Sequence, residues 1–200
     1  MIAYIKGSLE AKLNDSVIVE TGGVGYKIFM PQNEIENLGN IGDTVKVHTY
    51  YYVREDNISL YGFSTQEKLR MFELLIQTSG IGAKSATTIL ANIEPHTFAL
   101  AVVTNDDTRL TKIPGIGKKT AARMILELKD KMKVELDGQD VSETTTVKTE
   151  FNENVEEAIS ALQVLGYYKK DIEKAFEKED LSGLSIEDII RKGLALLSRD

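Results

Sequence analysis

The chain has 200 residues, of which 42% are hydrophobic and 28% charged, as is typical of a soluble globular protein of one medium domain or a few small ones. It contains no cysteine and two histidines, which excludes disulfides, thiolate metal sites and a cysteine nucleophile, and no metal or other cofactor is expected. No apolar run approaches a membrane span and no signal pattern opens the chain, so a cytoplasmic location is the expectation.

The formal net charge of −7 is unevenly distributed along the chain. Residues 1–62 carry −3, residues 63–136 carry +3 and residues 137–200 carry −7. Asymmetry of this kind predicts one module that binds a polyanion and another that is kept away from it. Small domains also differ by a few charges without functional meaning, so charge alone does not decide between these interpretations.

The first 63 residues have the pattern of five short β-strands. Strands are predicted at residues 2–9, 16–21, 25–30, 43–53 and 58–63. Gly22 and Gly23 are a hairpin signal, and Arg54–Asn57 is a polar turn before the fifth strand. Five strands at this spacing predict an OB-like β-barrel over residues 1–63, with an SH3-like barrel as the alternative.

Helical patterns begin at Ser64, which with Glu67 resembles a capping box. They continue to residue 136, and His96 is expected in a loop after Pro95. Residues 137–150 lack large apolar side chains and any hydrophobic period, which predicts a flexible linker. Three short helices are then predicted at residues 154–165, 170–179 and 186–198. Gly166 is expected to stop the first of them and Ser185 to cap the last.

One internal repeat carries the functional argument. Residues 78–86 (TSGIGAKSA) align with residues 113–121 (IPGIGKKTA) at an offset of 35. In both copies an apolar helical stretch precedes the Gly-Ile-Gly and a second helix follows it, which is the helix–hairpin–helix pattern. The glycines permit a tight turn and a close approach of phosphate to the backbone, and the following helix directs free N–H groups and its positive dipole end at that phosphate.

The residues of the two repeats therefore predict DNA binding that does not depend on base sequence. Cationic and hydroxyl side chains follow each turn and add phosphate contacts. A single Gly-Ile-Gly would indicate only a turn between helices, but two matched copies favour DNA. The predicted DNA-binding residues are Gly80, Gly82, Lys84, Ser85, Gly115, Gly117, Lys118, Lys119, Thr120 and Arg123. Because Ala83 stands where the second copy has Lys118, the first repeat is expected to bind its phosphate less strongly.

Together these features resemble the RuvA family of Holliday-junction branch-migration subunits of bacteria. The matching segments are residues 1–7, 53–56, 60–63, both hairpins and residues 161–167. The resemblance implies an α+β multidomain protein: an OB-like barrel (1–63), a tandem helix–hairpin–helix domain (64–136), a linker (137–150) and a UBA-like three-helix domain (151–200). It also implies a non-catalytic homotetramer that holds a four-way DNA junction open in recombination and repair.

The resemblance implies further partners and site residues. The RuvB hexameric ATPase is the expected motor, the RuvC resolvase is a further partner, and the sequence leaves open whether one or two tetramers bind the junction. Glu55 and Asp56 match the family's acidic pin at the junction centre, although by themselves they would be taken for a solvated hairpin tip. The candidates for motor binding, which the small core of that domain could equally require, are Leu162, Leu165, Tyr167 and Leu196.

Two other functions are weighed against this one. The second hairpin also resembles that of the helical base-excision glycosylases, in which a lysine at the position of Lys119 attacks the sugar and a downstream aspartate, here Asp137, assists. A single-strand binder built on the barrel is the third possibility. The chain has no Gly-x-x-x-x-Gly-Lys-Ser/Thr motif, so no ATP site is expected within it.

Overall fold

The computed structural model describes residues 1–55, 57–137 and 150–197, and their side chains except those of residues 130–137 and 150–153. The chain divides into two compact units. The first comprises Met1–Ile76 and Ile81–Asn92, and the second comprises Gln77–Gly80 and Ile93–Asp200. Within the described residues, no helix has the length and apolar character needed to cross a membrane.

A closed five-stranded barrel forms most of the first unit. Its strands are β1 Tyr4–Lys12, β2 Ser16–Thr21, β3 Val24–Phe29, β4 Thr44–Val53 and β5 Ile58–Phe63. They follow the order β1-β2-β3-β5-β4 around the barrel. The barrel closes because β1 pairs antiparallel with both β2 and β4, and β3 pairs in parallel with β5. The predicted OB-like barrel is thereby confirmed.

The sequence of β4 has Val45, Val47, Thr49, Tyr51 and Val53 at every second position, and the barrel interior explains this alternation. Val45, Val47 and Thr49 are buried, and Val45 and Val47 belong to the apolar core. Farther along the same face, Tyr51 is 37% and Val53 is 55% exposed, because this end of the strand leads into the turn before β5. The alternation therefore identifies the core-facing side of β4 correctly. Side chains on that side are no longer buried where the hairpin between β4 and β5 extends beyond the core.

Three helices complete the first unit: α1 Gln32–Asn37, α2 Gln66–Ile76 and α3 Ala83–Asn92. α2 packs on β4 and β5, where Phe72 stacks on Tyr61 with ring centroids 5.1 Å apart and meets Tyr50 at 5.6 Å. The predicted capping box is wrong, because the amide of Lys68 donates to the hydroxyl of Thr65 at 3.2 Å and Ser64 is engaged elsewhere.

Ser64 instead belongs to a polar cluster centred on the buried Glu34 of α1, whose side chain is 2% exposed. Its carboxylate accepts hydrogen bonds from the Ser64 amide at 2.7 Å and from the Ser64 hydroxyl at 2.8 Å. It also pairs with the ammonium of Lys68 at 2.8 Å. A carboxylate this deeply buried is stable only when its lone pairs are satisfied, so the cluster ties α1 to the start of α2.

The second unit is helical over its described residues. Its helices are α4 Pro95–Val103, α5 Asp107–Leu110, α6 Lys118–Asp137, α7 Glu150–Val164, α8 Lys169–Phe176 and α9 Ile186–Leu197. His96 lies inside α4, so its predicted loop position is wrong. Pro95 starts the helix because its fixed φ suits the first turn and its missing N–H is not needed there.

The C-terminal helices match the sequence prediction closely and pack against α4. Gly166, with a φ of +80°, follows α7, and the hydroxyl of Ser185 accepts from the Asp188 amide at 3.2 Å to cap α9. α7 and α9 both contact α4, and Phe98, Ala99 and Val102 of α4 are buried. The predicted linker stays a prediction: α6 ends at Asp137, α7 begins at Glu150, and residues 138–149 lie outside the described residues.

Candidate nucleic-acid interface

The two hairpin turns have the same local backbone. Gly80 and Gly115 both have a φ of +84°, which an L side chain adopts only with strain. In each turn the isoleucine between the glycines is buried, Ile81 at 5% and Ile116 at 7% exposure. The repeat seen in the sequence is thus a repeat of conformation, in which the isoleucine anchors the turn while the glycines remain outside.

The space in front of the glycines is open. All four glycines of the two turns are exposed, and a Cβ atom built on any of them would meet no heavy atom within 4 Å. α3 begins at Ala83 and α6 at Lys118, each directly after the second glycine of its turn. The first amides of these helices have no partner within the helix, so each turn offers N–H groups and a positive dipole end at an accessible surface.

The predicted cationic and hydroxyl side chains lie beside these turns. Lys84 and Ser85 are exposed in the first turn of α3, Lys118 and Lys119 are exposed in the first turn of α6, and Thr120 is half-buried. Ala83 is only 5% exposed, so its methyl group packs inward. The first repeat therefore presents one lysine at this point where the second presents two.

The guanidinium of Arg123 is held by contacts with two other residues of the second unit. Its Nε donates to the carboxylate of Glu127 at 2.9 Å, and a second guanidinium nitrogen donates to the hydroxyl of Ser79. The other oxygen of the same carboxylate accepts from the Ser79 amide at 2.8 Å. Sequence reasoning missed Glu127; the only signal was its position one turn after Arg123 on the same helix.

The acidic turn joins β4 to β5. Glu55 is exposed, the Arg54 amide donates to the Asn57 carbonyl at 2.8 Å, and Asp56 lies outside the described residues. The guanidinium of Arg54 lies over the ring of Tyr52 at 4.9 Å and donates to its hydroxyl at 2.8 Å, and this hydrogen bond raises the pKa of Arg54. The turn thus presents a carboxylate beside an arginine held by an aromatic ring.

Three of the four candidates for partner binding are core residues of the C-terminal helices. Leu162 is 0%, Leu165 is 1% and Tyr167 is 6% exposed, and Leu196 is half-buried. The side chain of Leu162 is so close to α9 that a Cβ on Gly193 would lie 2.6 Å from it. Among the residues of α7, α8 and α9 and their connections whose side chains the structure describes, the exposed large apolar one is Tyr168, at 63%.

The glycosylase interpretation does not agree with this geometry. Lys119 and Asp137 lie at opposite ends of α6, so their Cα atoms are about 27 Å apart at the rise of an α-helix. An aspartate at that distance cannot assist a lysine in attacking a sugar. The N-terminal region is a barrel, where a base-flipping pocket would need a second helical lobe.

Comparison with known proteins gives three matching family models. They are the RuvA N terminal domain at residues 1–62, the SAM-like helix-hairpin-helix tandem at residues 72–130 and the RuvA C-terminal domain at residues 153–198. Several curated relatives carry the name Holliday junction branch migration complex subunit RuvA. The relative from Acetivibrio thermocellus is 50% identical over 100% of both chains. The relative from Ruminiclostridium cellulolyticum is 46% identical over 98% of this chain and 100% of its own. The relative from Clostridium perfringens is 42% identical over 100% of both.

Proposed function

The chain belongs to the RuvA family, and we propose that it binds four-way DNA junctions as the non-catalytic, DNA-binding subunit of a branch-migration complex. The observation that carries this proposal is the matched pair of exposed turns, in which Gly80 and Gly115 share a φ of +84° ahead of a helix N-terminus. Each turn has room for a phosphate where a side chain would otherwise stand.

Binding of this kind involves the sugar–phosphate backbone of the DNA. Amide groups and the side chains of Lys84, Lys118 and Lys119 recognise charge and spacing, and nothing in the two turns is shaped to distinguish bases. The affinity is therefore independent of sequence and falls steeply with salt. Preference for a junction over a duplex then depends on how several copies of the turns are arranged together.

We assign that arrangement to a homotetramer with fourfold symmetry. A four-way junction has four equivalent arms. Four equivalent chains, each supplying two turns, therefore match its symmetry. Glu55 and Asp56 of each chain would then meet at the crossover, where their carboxylates repel phosphates and oppose stacking of the arms. The exposure of Glu55 supports this role for the acidic turn.

The three-helix unit formed by α7, α8 and α9 is proposed to recruit an ATPase motor of the RuvB type. Leu162, Leu165 and Tyr167 fill the core of this unit, so their proposed role in binding would require the helices to rearrange. The exposed ring of Tyr168 and the half-buried Leu196 are accessible without such a change.

The test is a binding competition with the full chain. Four-way junctions of two unrelated sequences, a duplex and a single strand of equal length compete for the protein, and native mass measurement counts the chains in each complex. We expect both junctions to bind equally, ahead of duplex and single strand, in complexes of four or eight chains. Equal binding of junction and duplex would contradict the proposal, and preference for the single strand would indicate a barrel-based binder instead.

A further inference from the structure

Glu127 of α6 makes contacts that connect it to the segment entering the first hairpin. One carboxylate oxygen accepts from Nε of Arg123 at 2.9 Å and the other accepts from the amide of Ser79 at 2.8 Å. Arg123 closes the ring by donating to the Ser79 hydroxyl. These contacts fix Ser79, and Gly80 with its φ of +84° follows directly.

The second repeat reaches the same backbone without such a cluster. The residue aligned with Ser79 is Pro114, which has no N–H to satisfy and whose ring fixes φ. Gly115 then has the same φ of +84° as Gly80. The two turns are therefore held by different means: the second covalently, by the ring of Pro114, and the first by the hydrogen bond that the Ser79 amide donates to Glu127.

On the proposed junction-binding function, we propose that Glu127 is a positioning residue for DNA binding. It holds Ser79 in the conformation that the proline ring imposes in the second repeat, and it directs the Arg123 guanidinium to the same turn. An exposed ion pair between residues four apart on a helix contributes little by itself. The contribution of Glu127 comes from using both carboxylate oxygens, one on the cation and one on the backbone.

If Glu127 has this role, removing its charge changes junction affinity in the opposite direction from the one that simple electrostatics predicts. A carboxylate on a surface that binds a polyanion repels it, so removing the charge should strengthen binding. If Glu127 positions the first turn, Glu127→Gln weakens junction binding, because the amide side chain cannot accept from both donors. The matched control is Asp107→Asn, which removes one exposed negative charge from the same unit without touching the cluster.

The experiment measures junction affinity for the wild type, Glu127→Gln and Asp107→Asn, with thermal unfolding to confirm that each variant is folded. We expect Glu127→Gln to lose at least about tenfold in affinity, the loss of one hydrogen bond to a charged group, and Asp107→Asn to lose none. Glu127→Gln binding as tightly as Asp107→Asn or the wild type would overturn the inference.

Two further readouts separate positioning from other effects. Amide hydrogen exchange at Ser79 in the DNA-free protein should be faster in Glu127→Gln than in the wild type. Adding Ser79→Pro to Glu127→Gln should recover the lost affinity, because the ring then supplies the constraint; a folded double variant without recovery would contradict the inference. If the wild type itself fails to bind the junction, the proposed function falls, whereas unchanged exchange at Ser79 overturns the positioning role on its own.

Discussion

Gly80 and Gly115 are the residues on which the geometry of the two turns depends. Both have a φ of +84°, where an alanine is strained although its methyl group would meet no neighbour within 4 Å. We expect Gly80→Ala or Gly115→Ala to lower the free energy of unfolding by about 1 kcal/mol in urea titrations. Gly117→Ala is the control, because Gly117 lies outside the left-handed region and should lose less. Equal losses at Gly115 and Gly117 would show that φ is not the cause.

Glu34 is the residue that holds the polar cluster of the first unit together. Its side chain is 2% exposed and binds the Ser64 amide, the Ser64 hydroxyl and the ammonium of Lys68, whose side chain is 15% exposed. Glu34→Ala removes the buried carboxylate that connects α1 to Ser64 and Lys68, and we expect a loss of about 3 kcal/mol in the free energy of unfolding. Glu36→Ala, at an exposed position on the same helix, should change it by less than about 0.5 kcal/mol. Similar values for the two variants would refute the assigned role of the cluster.

At the scale of elements, sequence reasoning succeeded where the signal is local. The bounds of β2 and β5 agree with prediction because alternation and flanking turn residues define them. Both hairpin turns were located by their glycines. The alternation along β4, the helix stop at Gly166 and the helix cap at Ser185 rest on equally local rules.

The misses at Glu34 and Glu127 share a cause, which is that their determinants are distant in sequence. Nothing near Glu34 indicates that its partners are Ser64 and Lys68, so α1 and the true cap at Thr65 were overlooked. Glu127 was overlooked for the same reason, since its partner Ser79 lies in another element. Periodicity cannot divide the apolar residues of a short helical unit into core and interface, so partner binding by Leu165 and Tyr167, which are buried, stays a prediction.

The packing of α4 against α9 predicts a pH dependence of stability. His96 on α4 lies 3.5 Å from the Glu187 carboxylate, yet burial and the nearby Arg191 lower the pKa of His96 against the opposing effect of Glu187 and Glu94. The unfolded chain therefore takes up this proton first, and stability falls as the pH drops below about 6.5.

Urea unfolding at pH 7.5 and 5.5 tests this prediction with wild type and His96→Gln. The wild type should lose more stability between the two pH values than the variant, which carries no proton at this position. A larger loss in the variant would mean that the protonated histidine gains more from Glu187 than it loses by burial, and the assigned direction would be wrong.

For the whole molecule, the net charge of −7 conceals a basic middle segment. Junction affinity should depend on the local charges at the turns and hence on salt. If Lys119 contacts a phosphate, Lys119→Ala should weaken binding to all junction sequences alike and reduce the slope of log affinity against log salt by about 1. Lys112→Ala, an exposed lysine outside the repeats, is the control. An unchanged slope for Lys119→Ala would exclude a phosphate contact there.

Junction binding in this proposal requires DNA phosphate to approach the bare backbone at the second glycine of each turn. Gly82 and Gly117 have ordinary φ and open space before them, so Gly82→Ala with Gly117→Ala leaves the fold intact and places two methyl groups in the path of phosphate. The most direct measurement is the junction dissociation constant of this double variant, with thermal unfolding as the check on folding. We predict at least about a tenfold loss of affinity in a folded protein. Wild-type affinity in the double variant would contradict the claim.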